Sequence, residues 1–353
     1  MTTLLPASIP GITVLVCTHN GAALLPPTLA HLAAQQVPPG LAWEVLLVSN
    51  ASTDDTLALA GRQWAELGSP APLRLLNEPR PGKPYALECG IAEARYDYVC
   101  IVDDDNWLAP GYLARARQVL DADPRIGMLG GAGEAVCEIT PPTWFATFAR
   151  DYAADRQATQ SGDMTATPGF VYGAGCVLRR AAWARVLAAG FQSLLVQLPG
   201  LRSSGEDVEM CYAIALAGYR IWFDEQLHFQ HYVPAGRLTW AYLCSLYRSN
   251  AGSGVDLRPY LHFQQQQHVP SLVWLRNGAY GLLYAWRFAR RAGSVRANTT
   301  RPEAAEGNQA ILLAAYYRWI AKYFLLKQTR RDAGFRQVAA FVARLRALPS
   351  QAL

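Results

Sequence analysis

The sequence predicts an α/β fold, a mainly parallel sheet flanked by helices, with a helical extension at the C-terminal end. Short apolar runs rich in Val, Leu and Ile alternate with segments of helical spacing in the first 125 residues or so. Because strand–helix–strand units within one sheet are right-handed and parallel, this alternation predicts parallel strands. From Leu238 onward only helical spacing is found, which predicts the extension.

The individual elements follow from the periodicity of the apolar residues. In the first half, strands are predicted at residues 12–17, 43–48, 73–76 and 98–102, and helices at 24–36, 56–67 and 84–94. In the second half, strands are predicted at 127–136, 170–178 and 219–224, and helices at 181–189 and 208–217. Asp54 and Asp55 are predicted to cap the helix at 56, and Gly252, Pro259 and Pro270 mark predicted turns in the extension.

Length and composition are those of a globular protein with a sizeable core. The chain has 353 residues, of which 51% are hydrophobic and 17% charged, which accommodates one large α/β domain with an appendage. The seven cysteines form no CxxC pair, and their odd number argues against a complete disulfide framework. They are predicted to be buried free thiols in a reducing compartment.

Charge is concentrated at one end of the chain. Residues 276–353 carry 14 Lys and Arg against 3 Asp and Glu, whereas the whole chain has a net charge of only +5. Two segments, 269–291 at the start of this basic part and 311–327 within it, are also rich in aromatic residues. Such helices either lie in the interface of an anionic membrane or pack on each other, on the first domain or across a dimer. Nucleic-acid binding is not predicted, because no recognised motif accompanies the charge.

The N-terminal ten residues have neither a basic region nor a long apolar stretch, and no run of about 18 apolar residues occurs. We therefore expect a cytoplasmic protein without a spanning helix. A peripheral position at the inner face of the cell membrane is compatible with the basic, aromatic segments.

Three adjacent carboxylates, Asp103, Asp104 and Asp105, directly follow the fourth predicted strand. They would repel one another if left unpaired. At the carboxyl end of a strand, where open α/β sheets bind ligands, they suit a hard cation such as Mg²⁺ or Mn²⁺ whose shell is completed by phosphate oxygens. The alternative is an acidic turn that caps a helix at Leu108.

Three further features carry candidate chemistry. Glu206 and Asp207 precede a predicted helix, where a carboxylate serves either as a general base or as an ordinary helix cap. His231 follows the predicted strand at 219–224 and is either a metal ligand or an ordinary core or surface residue in an aromatic stretch. Lys83 comes after a Pro-Gly turn and opens a helix, an arrangement that suits a phosphate.

Taken in order, these motifs resemble glycosyltransferase family 2, whose members have the GT-A fold. The resemblance rests on residues 16–20 (VCTHN), 49–56 (SNASTDDT), 82–87 (GKPYAL), 103–106 (DDDN), 173–180 (GAGCVLRR) and 205–207 (GED). It covers about the first 235 residues. It implies a catalytic domain at 1–235, with a nucleotide-sugar half at about 1–125 and an acceptor half at 126–235, followed by the extension at 236–353.

The resemblance also implies roles for individual residues. Asp105, Asp103 and His231 would hold Mg²⁺ or Mn²⁺, Asp207 would be the catalytic base, and Glu206 would position the acceptor. The residues implied to bind the nucleotide-sugar are Thr18, His19, Asn20, Ser49, Asn50, Lys83, Asp103 and Asp104. The implied reaction is a single displacement that inverts the anomeric carbon and moves a sugar from a nucleoside-diphosphate sugar to a saccharide or lipid-linked acceptor, as in surface polysaccharide or glycolipid assembly.

The sequence departs from the family pattern at three points, and two rival functions stay open at this stage. Ser49 stands where many relatives carry Asp, which leaves the nucleobase open, and Glu88 stands where relatives often have Asn. The QxxRW signature of processive synthases is absent, which favours a single addition. A non-catalytic nucleotide-sugar-binding scaffold and a nucleotidyltransferase of similar fold are the alternatives, and the chain is either a monomer or a homo-oligomer.

Overall fold

The computed structural model describes residues 5, 7–195, 204–265, 273–293, 302–326 and 328–349. The strands are β1 (Ile9–Thr18), β2 (Trp43–Asn50), β3 (Leu73–Glu78), β4 (Tyr96–Asp103), β5 (Asn106–Leu108), β6 (Ile126–Cys137), β7 (Gly162–Asp163), β8 (Val177–Arg179) and β9 (Arg220–Val233). The helices of the first 235 residues are α1 (Leu25–Ala33), α2 (Thr56–Glu66), α3 (Lys83–Glu93), α4 (Tyr112–Ala122), α5 (Phe145–Phe148), α6 (Arg180–Ala188) and α7 (Glu206–Leu216). After them come α8 (Trp240–Asp256), α9 (Arg258–Gln264), α10 (Val273–Arg291), α11 (Gln309–Leu326) and α12 (Gln328–Ala347), and short 3₁₀ turns lie at 149–152, 235–237 and 302–304.

All described strands join one sheet in the order β3-β2-β1-β4-β8-β6-β9-β5, with β7 paired to β9. The first four are parallel, as the alternation of strands and helices predicts. Their registers place Thr18 beside Ser49, and Cys17 beside Asp103. The carboxyl ends that carry the candidate motifs therefore lie along one edge of the sheet.

The second half of the sheet is mixed. Strand β8 is antiparallel to β4 and β6, β6 and β9 are parallel, and β5 and β7 pair antiparallel with β9. The pairing of β6 with β9 shifts register, so that Gly130 lies opposite Phe223 but Ala132 lies opposite His228. The polar residues between Phe223 and His228 form this irregularity, and β9 continues beyond it. The predicted α/β fold is confirmed, with helices flanking a central sheet.

Several predicted boundaries are wrong. The strand predicted at 219–224 extends to Val233, so His228 and His231 lie within β9 instead of after it. The strand predicted at 170–178 shrinks to Val177–Arg179, because the chain turns at Gly173 and Gly175 before it enters the sheet. Predicted turns at Gly252 and Pro259 lie inside α8 and in the first turn of α9; the one at Pro270 lies outside the described residues.

The predicted caps of α2 and the predicted acidic helix cap at Leu108 also differ from the structure. Asp55 is the N-cap residue but makes no side-chain capping bond, whereas the Asp54 carboxylate accepts a hydrogen bond from the Thr56 backbone N–H at 3.2 Å. Leu108 ends strand β5, and the next helix begins at Tyr112. The acidic triplet therefore caps no helix at Leu108.

The helical extension packs against the rest of the protein. Val338 and Phe341 of α12 join the apolar cluster that contains Val186 of α6 and Ile214 of α7. Leu312 of α11 joins a second cluster with Trp144 and Trp240, and α10 packs on α11. The part of the chain after residue 235 thus shares its core with the part before it. No described helix is both long enough and apolar enough to cross a membrane.

Gly131 in β6 lies directly against the backbone of β9. A methyl group added there would come within 2.2 Å of the Leu227 carbonyl oxygen, a backbone atom that cannot move aside. We expect Gly131→Ala to lower the free energy of unfolding by about 1–3 kcal/mol through overpacking. Gly254→Ala is the matched control, because this exposed glycine in α8 has nothing within 4 Å and Ala favours a helix by about 1 kcal/mol. Chemical denaturation measures both, and equal effects would contradict the packing described here.

Candidate active site

The predicted nucleotide-sugar residues line the edge where β1, β2 and β4 end. The Thr18 hydroxyl donates a hydrogen bond to the Asp104 carboxylate. Burial of Asp104 and the charges of Asp105 and Asp103 raise its pKa to about 6, against the effect of that hydrogen bond. Ser49 is 2% exposed at the end of β2, beside Thr18. These side chains therefore lie together.

Asn50 ties the second and third loops of this edge together. Its side-chain amide donates to the Arg80 carbonyl at 2.7 Å, and its amide oxygen accepts from the Gly82 N–H at 2.7 Å. Its own carbonyl lies 2.7 Å from Nδ1 of His19. Neighbouring Asn20 accepts a hydrogen bond from the Thr53 N–H at 2.8 Å. His19 and Asn20 are themselves exposed, and thus stand on a loop that Asn50 and Thr53 hold in place.

Lys83 forms an ion pair with Asp103 across the same edge. Lys83 is the first residue of α3, and Asp103 is the last residue of β4. The Lys83 side chain remains 40% exposed and the Asp103 side chain 26% exposed, so that both are accessible to a ligand. A lysine at a helix N-terminus is suited to a phosphate oxygen.

Asp105 is buried, at 3% exposure, behind His231 and Arg237. The antiparallel pairing of β5 with β9 places Asn106 opposite His231 and so brings the neighbouring Asp105 to the histidine. Oδ2 of Asp105 lies 3.5 Å from Nε2 of His231 and accepts a hydrogen bond from Arg237 at 2.9 Å. Burial alone would raise the pKa of Asp105, but the His231 hydrogen bond and the charges of His231 and Arg237 lower it to about 2.

Asp105 and His231 fit two positions of a divalent cation site. The Nδ1 atom of His231 lies 2.6 Å from the Tyr152 carbonyl oxygen, which can only accept, so this nitrogen carries the hydrogen. In the neutral ring Nε2 then carries a lone pair that a cation can bind, whereas in the protonated ring Nε2 carries the hydrogen of the bond to Asp105. A backbone carbonyl that accepts from the other ring nitrogen is common among metal-binding histidines. Within the described residues no group of three His, Cys, Asp or Glu side chains gathers around one point. Asp103, the third predicted ligand, is paired with Lys83 instead.

Asp207 lies in the first turn of α7, directly after Gly205 and Glu206. Gly205 has φ +99°, a left-handed conformation that favours glycine at this entry to the helix. One carboxylate oxygen of Asp207 accepts from the Gly173 N–H at 2.8 Å, and the other accepts from the Val208 N–H at 2.9 Å. Burial, and then the charge of Glu206, raise the pKa of Asp207. A carboxyl with a raised pKa is suited to proton transfer near neutral pH.

One cleft of about 660 Å³ is lined by some of these groups, whereas Thr18, Ser49, Asp104 and Asp105 are not among its lining residues. Its wall includes Lys83, Asp103, Asp207, His231 and Arg237. Residues beyond position 235 also line it, among them Tyr242, Leu246 and Asn250 of α8 and Tyr316 of α11. The cleft thus runs from the carboxyl edge of the sheet to the helical extension.

Two cleft groups have no counterpart among the residues predicted from sequence. Arg237 reaches Asp105 from 132 residues away and belongs to no motif. The Tyr172 hydroxyl is buried and has no hydrogen-bond partner among the described residues, although the ring lines the cleft. A buried hydroxyl without a partner is costly, so a ligand that supplied one would gain affinity. No motif in the sequence singled out either residue.

The family model for glycosyl transferase family 2 matches residues 13–186. These residues form a glycosyltransferase family 2 domain. An uncharacterised glycosyltransferase of Mycobacterium tuberculosis and one of Mycobacterium bovis are each 32% identical to this chain over 110 residues. The match spans 31% of the chain and 44% of the length of these relatives.

Solved structures support the fold of this protein. A mannosyltransferase from Pyrobaculum calidifontis, in complex with GDP-Man and Mn²⁺, is similar with a TM-score of 0.55 at 22% identity, over 92% of this chain and 90% of that one. Residues 1–349 of TarS from S. aureus, in complex with UDP-GlcNAc, are similar with a TM-score of 0.52 at 16% identity, over 95% and 89% of the two chains. The predicted GT-A fold is confirmed.

Proposed function

We propose that the chain is an inverting glycosyltransferase that moves a sugar from a nucleoside-diphosphate sugar to an acceptor hydroxyl. One observation carries this proposal: the Asp207 carboxylate shares a single cleft with Lys83, Asp103, His231 and Arg237. A carboxylate with a raised pKa and a group of cations are the two components that sugar transfer from a diphosphate requires.

In this proposal the edge formed by β1, β2 and β4 binds the donor. Thr18, Ser49 and the loop held by Asn50 surround the nucleoside, and Lys83 and Arg237 offer cationic groups to the diphosphate. The similar fold of the Pyrobaculum calidifontis mannosyltransferase with GDP-Man and of S. aureus TarS with UDP-GlcNAc supports a nucleotide-sugar donor. Asp103 and Asp104, at the end of β4, lie beside the same nucleotide.

Asp105 and His231 would hold Mg²⁺ or Mn²⁺ together with oxygens of the diphosphate. Such a cation, when bound, offsets the charge that develops on the departing diphosphate. Arg237 now occupies the same carboxylate oxygen of Asp105 that faces His231. A cation held at this oxygen would compete with the guanidinium, and a displaced Arg237 would be free to reach a phosphate. The Mn²⁺ in the Pyrobaculum calidifontis complex supports a divalent cation.

Asp207 acts as the general base in this proposal. It takes the proton of the acceptor hydroxyl while that oxygen forms a bond to the anomeric carbon, and the bond from that carbon to the diphosphate oxygen breaks. The electron pair of the broken bond leaves with the diphosphate, and attack from the opposite face inverts the anomeric configuration. The Gly173 and Val208 N–H groups fix the carboxylate in place. Glu206, in the same helical turn, helps to position the acceptor.

The acceptor half of the cleft is rich in tyrosine. Tyr172, Tyr242 and Tyr316 line it, together with Arg150 and Asn250. Aromatic faces with hydroxyl tips combine apolar area with hydrogen bonding, which suits a sugar ring. These residues support a saccharide or a lipid-linked saccharide as the acceptor, in surface polysaccharide or glycolipid assembly.

Release of nucleoside diphosphate from a panel of UDP-, GDP- and dTDP-sugars tests this function. We expect release with Mn²⁺ for one nucleotide class and loss of release with a chelator. We also expect the rate to fall as pH decreases through the pKa of Asp207, because only the unprotonated carboxylate accepts a proton. The midpoint of this acidic limb of the pH–rate profile should lie at a pH above 3.9, which is about the usual pKa of Asp.

Glu206→Gln sharpens the pH experiment, because the charge of Glu206 raises the pKa of Asp207. We expect the acidic limb of this variant to move to lower pH, with release still present. An unmoved limb would show that another group titrates. If no sugar in the panel is hydrolysed and no nucleoside diphosphate binds, the non-catalytic scaffold replaces the enzyme.

A further inference from the structure

Helix α10 has a hydrophobic surface that faces solvent. Twelve large hydrophobic side chains are exposed in the described part of the chain, and half of them belong to this one helix. They are Leu275, Tyr280, Leu282, Leu283, Tyr284 and Trp286, each between 40% and 53% exposed. We call this side the outer face of α10. A contiguous apolar surface of this kind marks an interaction site.

The opposite side of α10 explains why the outer face stays uncovered. Gly278, Gly281, Ala285 and Ala289 recur at helical spacing and are buried. A methyl group on Gly281 would lie 3.0 Å from the Tyr317 carbonyl oxygen and 3.1 Å from the Ala321 side chain, so α10 approaches α11 very closely there. The Tyr284 ring stacks on Tyr317 of α11 with the ring centres 5.2 Å apart. Leu275, Leu282 and Trp286 have no room on that side and face solvent.

The outer face of α10 is also strongly basic. Arg276, Arg287, Arg290 and Arg291 are exposed, and no acidic residue occurs in Val273–Arg291. Leu275, Leu282 and Trp286 are seven and four residues apart and form one strip. Arg276, Arg287 and Arg291 are eleven and four residues apart and form the adjacent strip. The Arg290 guanidinium lies 4.8 Å from the Trp286 ring centre, so charged and apolar groups meet at the boundary.

We propose that the outer face of α10 binds the surface of an anionic lipid bilayer, with the helix lying in the plane of the interface. Apolar side chains beside arginines, without any carboxylate, match acyl chains beside lipid phosphates. A symmetric contact with a second copy of the chain fits less well, since it would bring eight arginines together with no acidic residue from either α10.

This inference deepens the proposed function, because it gives the enzyme a membrane as its partner. Helix α10 packs on α11, and Tyr316 of α11 lines the acceptor half of the cleft. Membrane contact through α10 would hold that end of the cleft near a lipid-linked acceptor. Vesicle binding itself does not require sugar transfer, so the two proposals fail in different experiments.

Co-sedimentation of the full chain with vesicles tests the proposal. We expect binding to vesicles of phosphatidylcholine with phosphatidylglycerol, weaker binding in high salt, and little binding to phosphatidylcholine alone. Leu282→Ser with Trp286→Ser, and separately Arg287→Ser with Arg291→Ser, should each weaken binding on the order of tenfold or more. The double variant Leu67→Ser with Arg62→Ser is the matched control, because it removes one exposed apolar and one exposed basic side chain at α2. This control variant should bind the vesicles as the parent chain does.

Two results would overturn the proposal. One is that the parent chain does not bind the anionic vesicles, or that the α10 variants bind them as strongly as the parent chain does. An unchanged thermal unfolding temperature shows that each variant is folded. The other is a parent chain that does not bind vesicles but forms a stable dimer in analytical ultracentrifugation. If Leu282→Ser with Trp286→Ser made that dimer dissociate, the outer face of α10 would be the contact with a second copy. Nucleotide release by the same variants should be unchanged in the absence of lipid.

Discussion

Asp207→Asn is expected to lower sugar transfer by about 10²–10⁴-fold, the range typical of a general base, and to leave donor binding unchanged. The amide has the size of the carboxylate and still accepts one hydrogen bond, so that the contact with the Gly173 N–H at 2.8 Å can persist. What it loses is the ability to take a proton. The transfer rate, and the affinity for the nucleoside-diphosphate sugar measured by calorimetry, are the two quantities to compare.

Asp121→Asn is the matched control for that experiment. Asp121 is an exposed carboxylate on α4 paired with Arg117, and it is not among the residues that line the cleft. Its variant should transfer sugar at nearly the parent rate. If Asp207→Asn lost donor binding and transfer equally, the residue would be a binding or structural group and not the base.

Asp105→Ala is expected to remove the part of donor affinity that depends on a divalent cation, a loss on the order of 100-fold. The Asp105 carboxylate is the only anion that the described residues place within 4 Å of His231. Calorimetry of nucleoside-diphosphate binding with and without Mn²⁺ measures the difference directly. In the variant the two affinities should become nearly equal.

Asp105→Asn serves as the control for folding, because Asp105→Ala leaves the Arg237 guanidinium without its partner. The exposed fraction of the Arg237 side chain is 30%, so that water can solvate it and the fold should survive. Asn keeps the size and an oxygen but removes the charge, and we expect it to lose most of the cation dependence too. If Mn²⁺ still increased the affinity for the nucleoside diphosphate in both variants, the cation would have to bind elsewhere in the cleft.

Much of the fold and half of the candidate site could be predicted from local sequence. Buried parallel strands are short apolar runs, and their carboxyl ends carry the polar residues, so Thr18, Ser49 and Asp103 could be placed at one edge before the structure was known. Asp207 could be placed at a helix start for the same local reason. The roles of these residues remain predictions.

The remainder depends on contacts between distant segments, which local periodicity does not contain. His231 reaches Asp105 only because β5 pairs with β9, and β9 was predicted to end at Asp224, nine residues before its actual end. The polar residues that suggested this end form an irregularity within the strand instead. Arg237 and Tyr316 enter the cleft from the helical extension, through packing of the extension on the sheet domain. No short motif encodes that packing.

The binding of Mn²⁺ beside Asp105 and His231 tests the central claim most directly. A crystal of the full chain soaked with Mn²⁺ and the nucleoside diphosphate selected by the panel would show the metal by anomalous scattering. We predict a peak bonded to both side chains and to diphosphate oxygens, with Arg237 displaced from Asp105 and the Asp207 carboxylate facing the emptied sugar position. A nucleotide bound in the cleft with no metal at Asp105, or with Asp207 turned away from it, would contradict this account.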